Sequence, residues 1–222
     1  MAPLPAPPNR HPWPRLRFLA LAWLAVYLPS YALAYGVSNF LFLCNLGVGI
    51  TAAGVLAGDR LLLSSQAVAA PVIGLAWALD AGWRVATGAH LYGGTEYMWD
   101  PQYPLFTRLL SLYHLVWPLL TLACVRRLGY DRRGWGLQAA VAAVALVVSR
   151  LLTAPEENVN FAFRDPLFGI AFAPPALHLA LTWVALAGVA YAPTHAALAR
   201  TFLAARAGPG RDDLPRAAAA GA

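Results

Sequence analysis

The residue in this chain best equipped for chemistry is His114, an imidazole in the middle of an apolar run, TRLLSLYHLVWPLLTLAC, from Thr107 to Cys124. At helical spacing Thr107, Ser111, His114 and Thr121 fall close to one face, and Pro118 follows one turn after the histidine. An ionisable side chain facing lipid is costly, so this stripe is expected to face a bundle interior. There His114 would serve either as a general acid or base or as a buried neutral imidazole bonded to a neighbouring helix.

Two further candidates begin the second apolar run, NFLFLCNLGVGITAAGVLAG. Cys44 is a nucleophile if a nearby cation or imidazole stabilises its thiolate, and a small packing residue otherwise. Asn45 offers an amide that could hold an oxyanion, or could bond across a helix interface. Later in the chain, Arg150 and Thr153 share a helix face, with Glu156, Glu157 and Asn158 just beyond. A guanidinium there could grip a carboxylate or phosphate head group, or form an interfacial ion pair with the glutamates. His178 completes the expected substrate-binding set of Arg150, Glu156, Glu157, Asn158 and His178. Asp80 and Arg84, four apart, are expected to form a local ion pair. HExxH, paired-histidine, glycine-rich phosphate-loop and GxSxG patterns do not occur, so neither a metal nor a cofactor is expected.

The elements that must position these residues follow from composition. Of 222 residues, 59% are hydrophobic and 12% charged, with a mean hydropathy of +0.55, which points to an all-α polytopic membrane bundle. The net charge is +6 and every basic residue is arginine. These arginines are scattered at helix ends, which argues against a nucleic-acid partner. The two cysteines lie in apolar runs and do not make a disulfide framework. Residues 1–17 read as a disordered, basic, proline-rich tail, residues 18–192 as about six transmembrane helices, and residues 193–222 as a cytoplasmic Ala/Arg/Gly/Pro tail.

The expected spans are Phe18 to Tyr35, Asn39 to Gly58, Leu61 to Leu79, Thr107 to Cys124, Trp135 to Leu152 and Phe168 to Ala190. The first also mimics a signal peptide, but Tyr27, Pro29, Tyr31 and Tyr35 favour an uncleaved helix. With the N-terminus inside, twelve of the sixteen arginines fall on inner segments and only Arg84, Arg108, Arg150 and Arg164 on outer ones. Both termini are therefore expected to be cytoplasmic, in a bacterial inner membrane. The candidate residues then gather in the outer half, around a pocket between the second, fourth, fifth and sixth spans.

YGVSNFLFLCNLG followed by LYHLVWPLLTL resembles the androgen-induced family of integral membrane hydrolases, which cleave fatty acid esters of hydroxy fatty acids, and their bacterial relatives. It is also similar to a related transmembrane acyltransferase of ether phospholipids. TAPEENVNFAF resembles the family's outer segment after its penultimate span. The resemblance implies a multi-span fold, a threonine nucleophile on an early helix and a histidine base ahead of a proline on the fourth. His114, with Pro118 beyond it, occupies the place of that base. The threonine falls at Phe42, which cannot attack, and Cys44 is the nearest substitute.

The expected function is a lipid-directed acyl hydrolase or acyltransferase. In it Cys44 attacks the ester, His114 moves the proton, Asn45 stabilises the oxyanion and Arg150 holds an anionic head group. The rival is a non-enzymatic membrane protein that binds or transports an ion or anionic solute. Membrane lipid is the expected partner, and homo-oligomerisation is left open.

Overall fold

Helices form nearly all the regular structure of the computed structural model, which describes residues 12–204. α1, Pro14–Tyr35, starts at a proline, whose fixed φ and missing N–H suit a first helical turn. A 3₁₀ turn, Val37–Leu41, leads into α2, Leu43–Ala57. Gly58 ends α2 in the left-handed region at φ 67°, and Asp59 caps α3, Arg60–Thr87, by accepting the Leu62 N–H at 2.8 Å. α4, Leu105–Leu110, passes through a tight turn at Ser111 and Leu112 into α5, Tyr113–Leu128. α6 is Arg133–Leu152. α7, Pro175–Val184, continues through a π-helical stretch, Ala185–Tyr191, into α8, Ala192–Ala204.

Among the described residues five helical stretches are long and apolar enough to cross a membrane: Pro14–Tyr35, Arg60–Thr87, Leu105–Leu128, Arg133–Leu152 and Pro175–Phe202. Their outward faces expose Phe18, Leu33, Leu75, Val116, Leu119, Val144, Leu151 and Val189, an apolar surface that suits lipid and not water. The protein is thus an all-α, integral, multi-pass membrane protein. The span expected from Asn39 to Gly58 is shorter than a full crossing. Its α-helical part has 15 residues, and at the helical rise that covers roughly 22 Å of a core about 30 Å thick.

Other expected boundaries also move. α3 continues beyond Leu79 to Thr87, so Asp80 and Arg84 are helical and do not belong to a connection. The last span starts at Pro175, because the prolines at 166, 174 and 175 keep the preceding stretch irregular. Helix then persists through Ala204, where a tail was expected from 193. At the other end helix begins at Pro14, inside the expected 1–17 tail. Residues 1–11 and 205–222 of the two expected tails lie outside the described residues.

α3 forms the centre, packed against α2, α5 and α6. Its approach to α5 depends on Gly74, where an added Cβ would stand 2.5 Å from the His114 carbonyl oxygen and 2.7 Å from Pro118 Cγ. Pro118 has no N–H to give that carbonyl, so the helix ladder is open there, and only glycine lets α3 close over it. α1 lies at the periphery and is attached mainly through buried Tyr27 and Tyr31.

Candidate functional site

Aromatic stacking fixes the His114 ring. It lies between Tyr113, at 4.1 Å between ring centroids, and Trp77 of α3, at 5.1 Å and 3° from parallel. The turn that joins α4 to α5 sets its orientation. Backbone bonds there run over three residues, including His114 N to Ser111 O at 3.1 Å, and His114 Nδ1 lies 2.8 Å from the same Ser111 carbonyl. A carbonyl can only accept, so Nδ1 carries the proton and Nε2 carries the lone pair. Nε2 has no hydrogen-bond partner among the described residues, and the 4%-exposed ring borders a cleft. The stripe of Thr107, Ser111, His114 and Thr121 is buried throughout.

Asn45 is a junction between helices. Its Oδ1 accepts the hydroxyls of Tyr27 at 2.6 Å and Tyr113 at 3.1 Å, and its Nδ2 donates to the Asn39 carbonyl at 2.6 Å. These bonds fasten α1, α2 and α5 together. Cys44 Sγ lies 3.7 Å from the same Oδ1, and no hydrogen bond joins it to His114 among the described residues. Cys44, Asn45 and His114 border one cleft, with no hydrogen bond between thiol and imidazole.

Asp80 organises the cleft wall. Its carboxylate is fully buried, and it accepts the N–H groups of Leu91 at 2.8 Å, Tyr92 at 2.9 Å, Gly93 at 3.3 Å and Thr95 at 2.8 Å, together with the Thr95 hydroxyl. His90 Nδ1 stands 3.3 Å from Asp80 Oδ2. The loop after α3 is thus wound around one carboxylate. Trp77 Nε1 donates to the Tyr97 hydroxyl at 2.9 Å, tying the loop to the residue stacked on His114. The expected Asp80–Arg84 ion pair does not form; Arg84 lies 6.0 Å from the centre of the Trp99 ring.

The segment after α6 forms the facing wall. Asn160, at φ 56°, donates to the Leu41 carbonyl and Ser149 Oγ and accepts the Leu43 N–H at 2.8 Å, so one amide joins α2 to α6. Asn158 accepts the N–H groups of Phe163 and Arg164 at 3.0 and 3.1 Å. Asp165 accepts three N–H groups, from Leu167, Phe168 and Ile170, and these, led by Phe168, hold its carboxyl below the usual range.

Arg150 neither borders the cleft nor pairs with a glutamate. Its guanidinium donates to the Ala162 carbonyl at 3.3 Å and lies 4.4 Å from the Phe163 ring centre. His178 is buried against the same segment, with Nε2 2.9 Å from the Phe161 carbonyl, and it does not line the cleft. Glu156 and Glu157 are exposed at the rim, and Asn158 joins them in the lining.

The cleft measures about 1340 Å³. Tyr31 and Tyr35 of α1, Cys44 and Asn45 of α2, Ile73 and Trp77 of α3, His114, both organised segments, and Thr182, Leu186 and Tyr191 enclose it. The fifth span, α6, contributes no lining residue; α1 and α3 close the space instead. Trp77, Tyr113 and Asp80 are the site's main unexpected members. Asp80 could have been found as a carboxylate within helical reach of an apolar run, followed by the turn-forming pair Gly93 and Gly94. No sequence signal pairs Trp77 with His114, because stacking between distant helices has no period. The sequence matches no family model, and neither curated proteins nor solved structures yield a match.

Proposed function

We propose that the cleft receives an amphipathic molecule, a membrane lipid, with its apolar part among Phe42, Ile73 and Leu186 and its polar end among the charged rim residues. The observation that carries this reading is the cleft itself, a space of about 1340 Å³ in a bundle whose outer faces are apolar. It is large enough for a drug-sized or larger ligand and combines aromatic walls with convergent polar groups. By arginine placement the termini and the closed end of the bundle face the cytoplasm of a bacterial inner membrane, with α2 and its 3₁₀ turn completing a sixth, shorter crossing. The cleft then opens on the outer leaflet, where lipid is at hand. Arg150 is spent on Ala162 and Phe163, which removes the cation that an anionic-solute reading relied on.

A second reading adds acyl transfer, and the tautomer of His114 favours it. With Nδ1–H held by Ser111 O, the Nε2 lone pair is oriented as a general base is. It would take the proton of an attacking hydroxyl, water or thiol as that atom bonds the ester carbonyl carbon, then return it to the leaving alkoxide. The resemblance of LYHLVWPLLTL to the androgen-induced hydrolases supports the same role.

A photoactivatable phospholipid in nanodiscs tests the first reading. Cross-links are expected at Phe42, Ile73 and Thr182, and labelling confined to outward residues such as Leu75 and Val144 would overturn it. Ester turnover by His114→Gln tests the second. A fall of about a hundredfold is expected if Nε2 is the base, and unchanged turnover would remove the chemistry while leaving the binding site.

A further inference from the structure

The chain is basic overall, at +6, yet five of its ten acidic residues, Glu96, Asp100, Glu156, Glu157 and Asp165, line the cleft against two arginines, Arg84 and Arg164. Asp165 is consumed by its own loop and Arg84 lies over Trp99. None of Glu96, Asp100, Glu156 and Glu157 has an ion-pair partner among the described residues. Asp131, by contrast, is paired with both Arg60 and Arg133. Carboxylates that outnumber the arginines of a shared concavity five to two repel one another and raise the local concentration of cations.

A separate observation lies below the rim. His114, 4% exposed and stacked on both faces, leaves its Nε2 lone pair without a partner and bordering the cleft. That atom is an acceptor waiting for a donor. The tyrosines Tyr35, Tyr97 and Tyr103 line the same cleft, with the Tyr35 ring 4.7 Å from that of Tyr103 and 5.6 Å from that of Tyr97. Aromatic faces attract organic cations. Lone pair, carboxylates and ring faces share one preference, for positive charge that also donates N–H bonds.

We infer that the ligand's polar end carries a protonated amine, as in an aminophospholipid head group; this rests on the amphiphile reading above. The same chemistry could come from a soluble amine, and the experiment separates the two sources. The purified full-length protein is titrated with fluorescent lysophosphatidylethanolamine and with lysophosphatidylglycerol of the same chain, which shares the phosphate but lacks the amine.

The ethanolamine lipid is expected to bind about tenfold tighter, and the preference should fall towards unity in a Glu96→Gln, Glu156→Gln, Glu157→Gln triple variant whose affinity for the glycerol lipid does not fall. Within that outcome, displacement by free ethanolamine extends the assignment to soluble amines, and failure to displace confines it to lipid. Equal affinities for the two lipids, or a preference unmoved in the triple variant, would overturn the inference while leaving the amphiphile reading intact. Binding of neither lipid would sink both.

Discussion

The two ends of the bundle treat their polar groups in opposite ways. At the end where α3 begins, the buried carboxylate is paired with cations. Asp131 takes three bonds from Arg133, at 3.0, 3.1 and 2.9 Å, lies 3.6 Å from Arg60, and has its own N–H on Ser64. One turn deeper, Gln66 donates to Gln138 at 3.0 Å. At the end where α3 finishes, the buried carboxylate is held by backbone N–H groups and the Thr95 hydroxyl, with His90 Nδ1 3.3 Å away, and the carboxylates around it form no ion pairs among the described residues. Side-chain pairs close one end over. Backbone ligation holds the other open while freeing its side chains for something else.

Breaking the backbone ligation should have the largest effect. Asp80→Ala leaves four N–H groups and a hydroxyl without their acceptor, and a loss of about 3 kcal/mol is expected. Amide exchange of residues 89–99 should then accelerate while that of residues 60–66 stays slow. Equal acceleration at both ends would erase the distinction between them.

A sharper contrast comes from the glutamine pair. Gln138→Leu alone takes the Gln138 carbonyl from Gln66, whose Nε2 keeps only Ser65 Oγ at 3.1 Å and whose Oε1 already has no partner, and should cost about 2 kcal/mol in thermal unfolding. Adding Gln66→Leu should recover most of that, since an apolar pair of similar shape needs no partner. A double variant no better than the single would show that the remaining bond, Gln66 Nε2 to Ser65 Oγ, carries the stability.

The smallest effect is electrostatic. Arg133, in first place, holds the Asp131 carboxyl down from 3.8 to about 2. A group depressed on folding lends stability above its unfolded value and loses it as pH falls through its folded value. Asp131 should therefore contribute fully above about pH 4 and lose its contribution between about 4 and 2. The exposed arginine limits this to about 1 kcal/mol, and added salt should shrink it. An Asp131→Asn protein with an unchanged acid limb would refute it.

How much of this could be read beforehand depended on range along the chain. Arg133–Leu152 was legible because length and apolarity are local properties, and so was the burial of His114, because polar groups in lipid must turn inwards. Asn45 was legible as a buried amide, but its partners Tyr27 and Tyr113 come from two other helices. Arg150 read as an anion clamp or as the partner of the glutamates that follow it, yet the chain turns and presents Ala162 and Phe163 to it. The shortness of α2 was hidden for a related reason. Hydropathy does not distinguish a 3₁₀ turn over Val37–Leu41 from the α-helix that follows it.

The winding of residues 91–95 about Asp80 also bears on how this protein can be cut and recombined. A domain swap made at Gly88, the natural boundary by helix assignment, would part the strap from its anchor and leave a charge sealed in grease. A graft running from Asp59 through Trp99 would carry both.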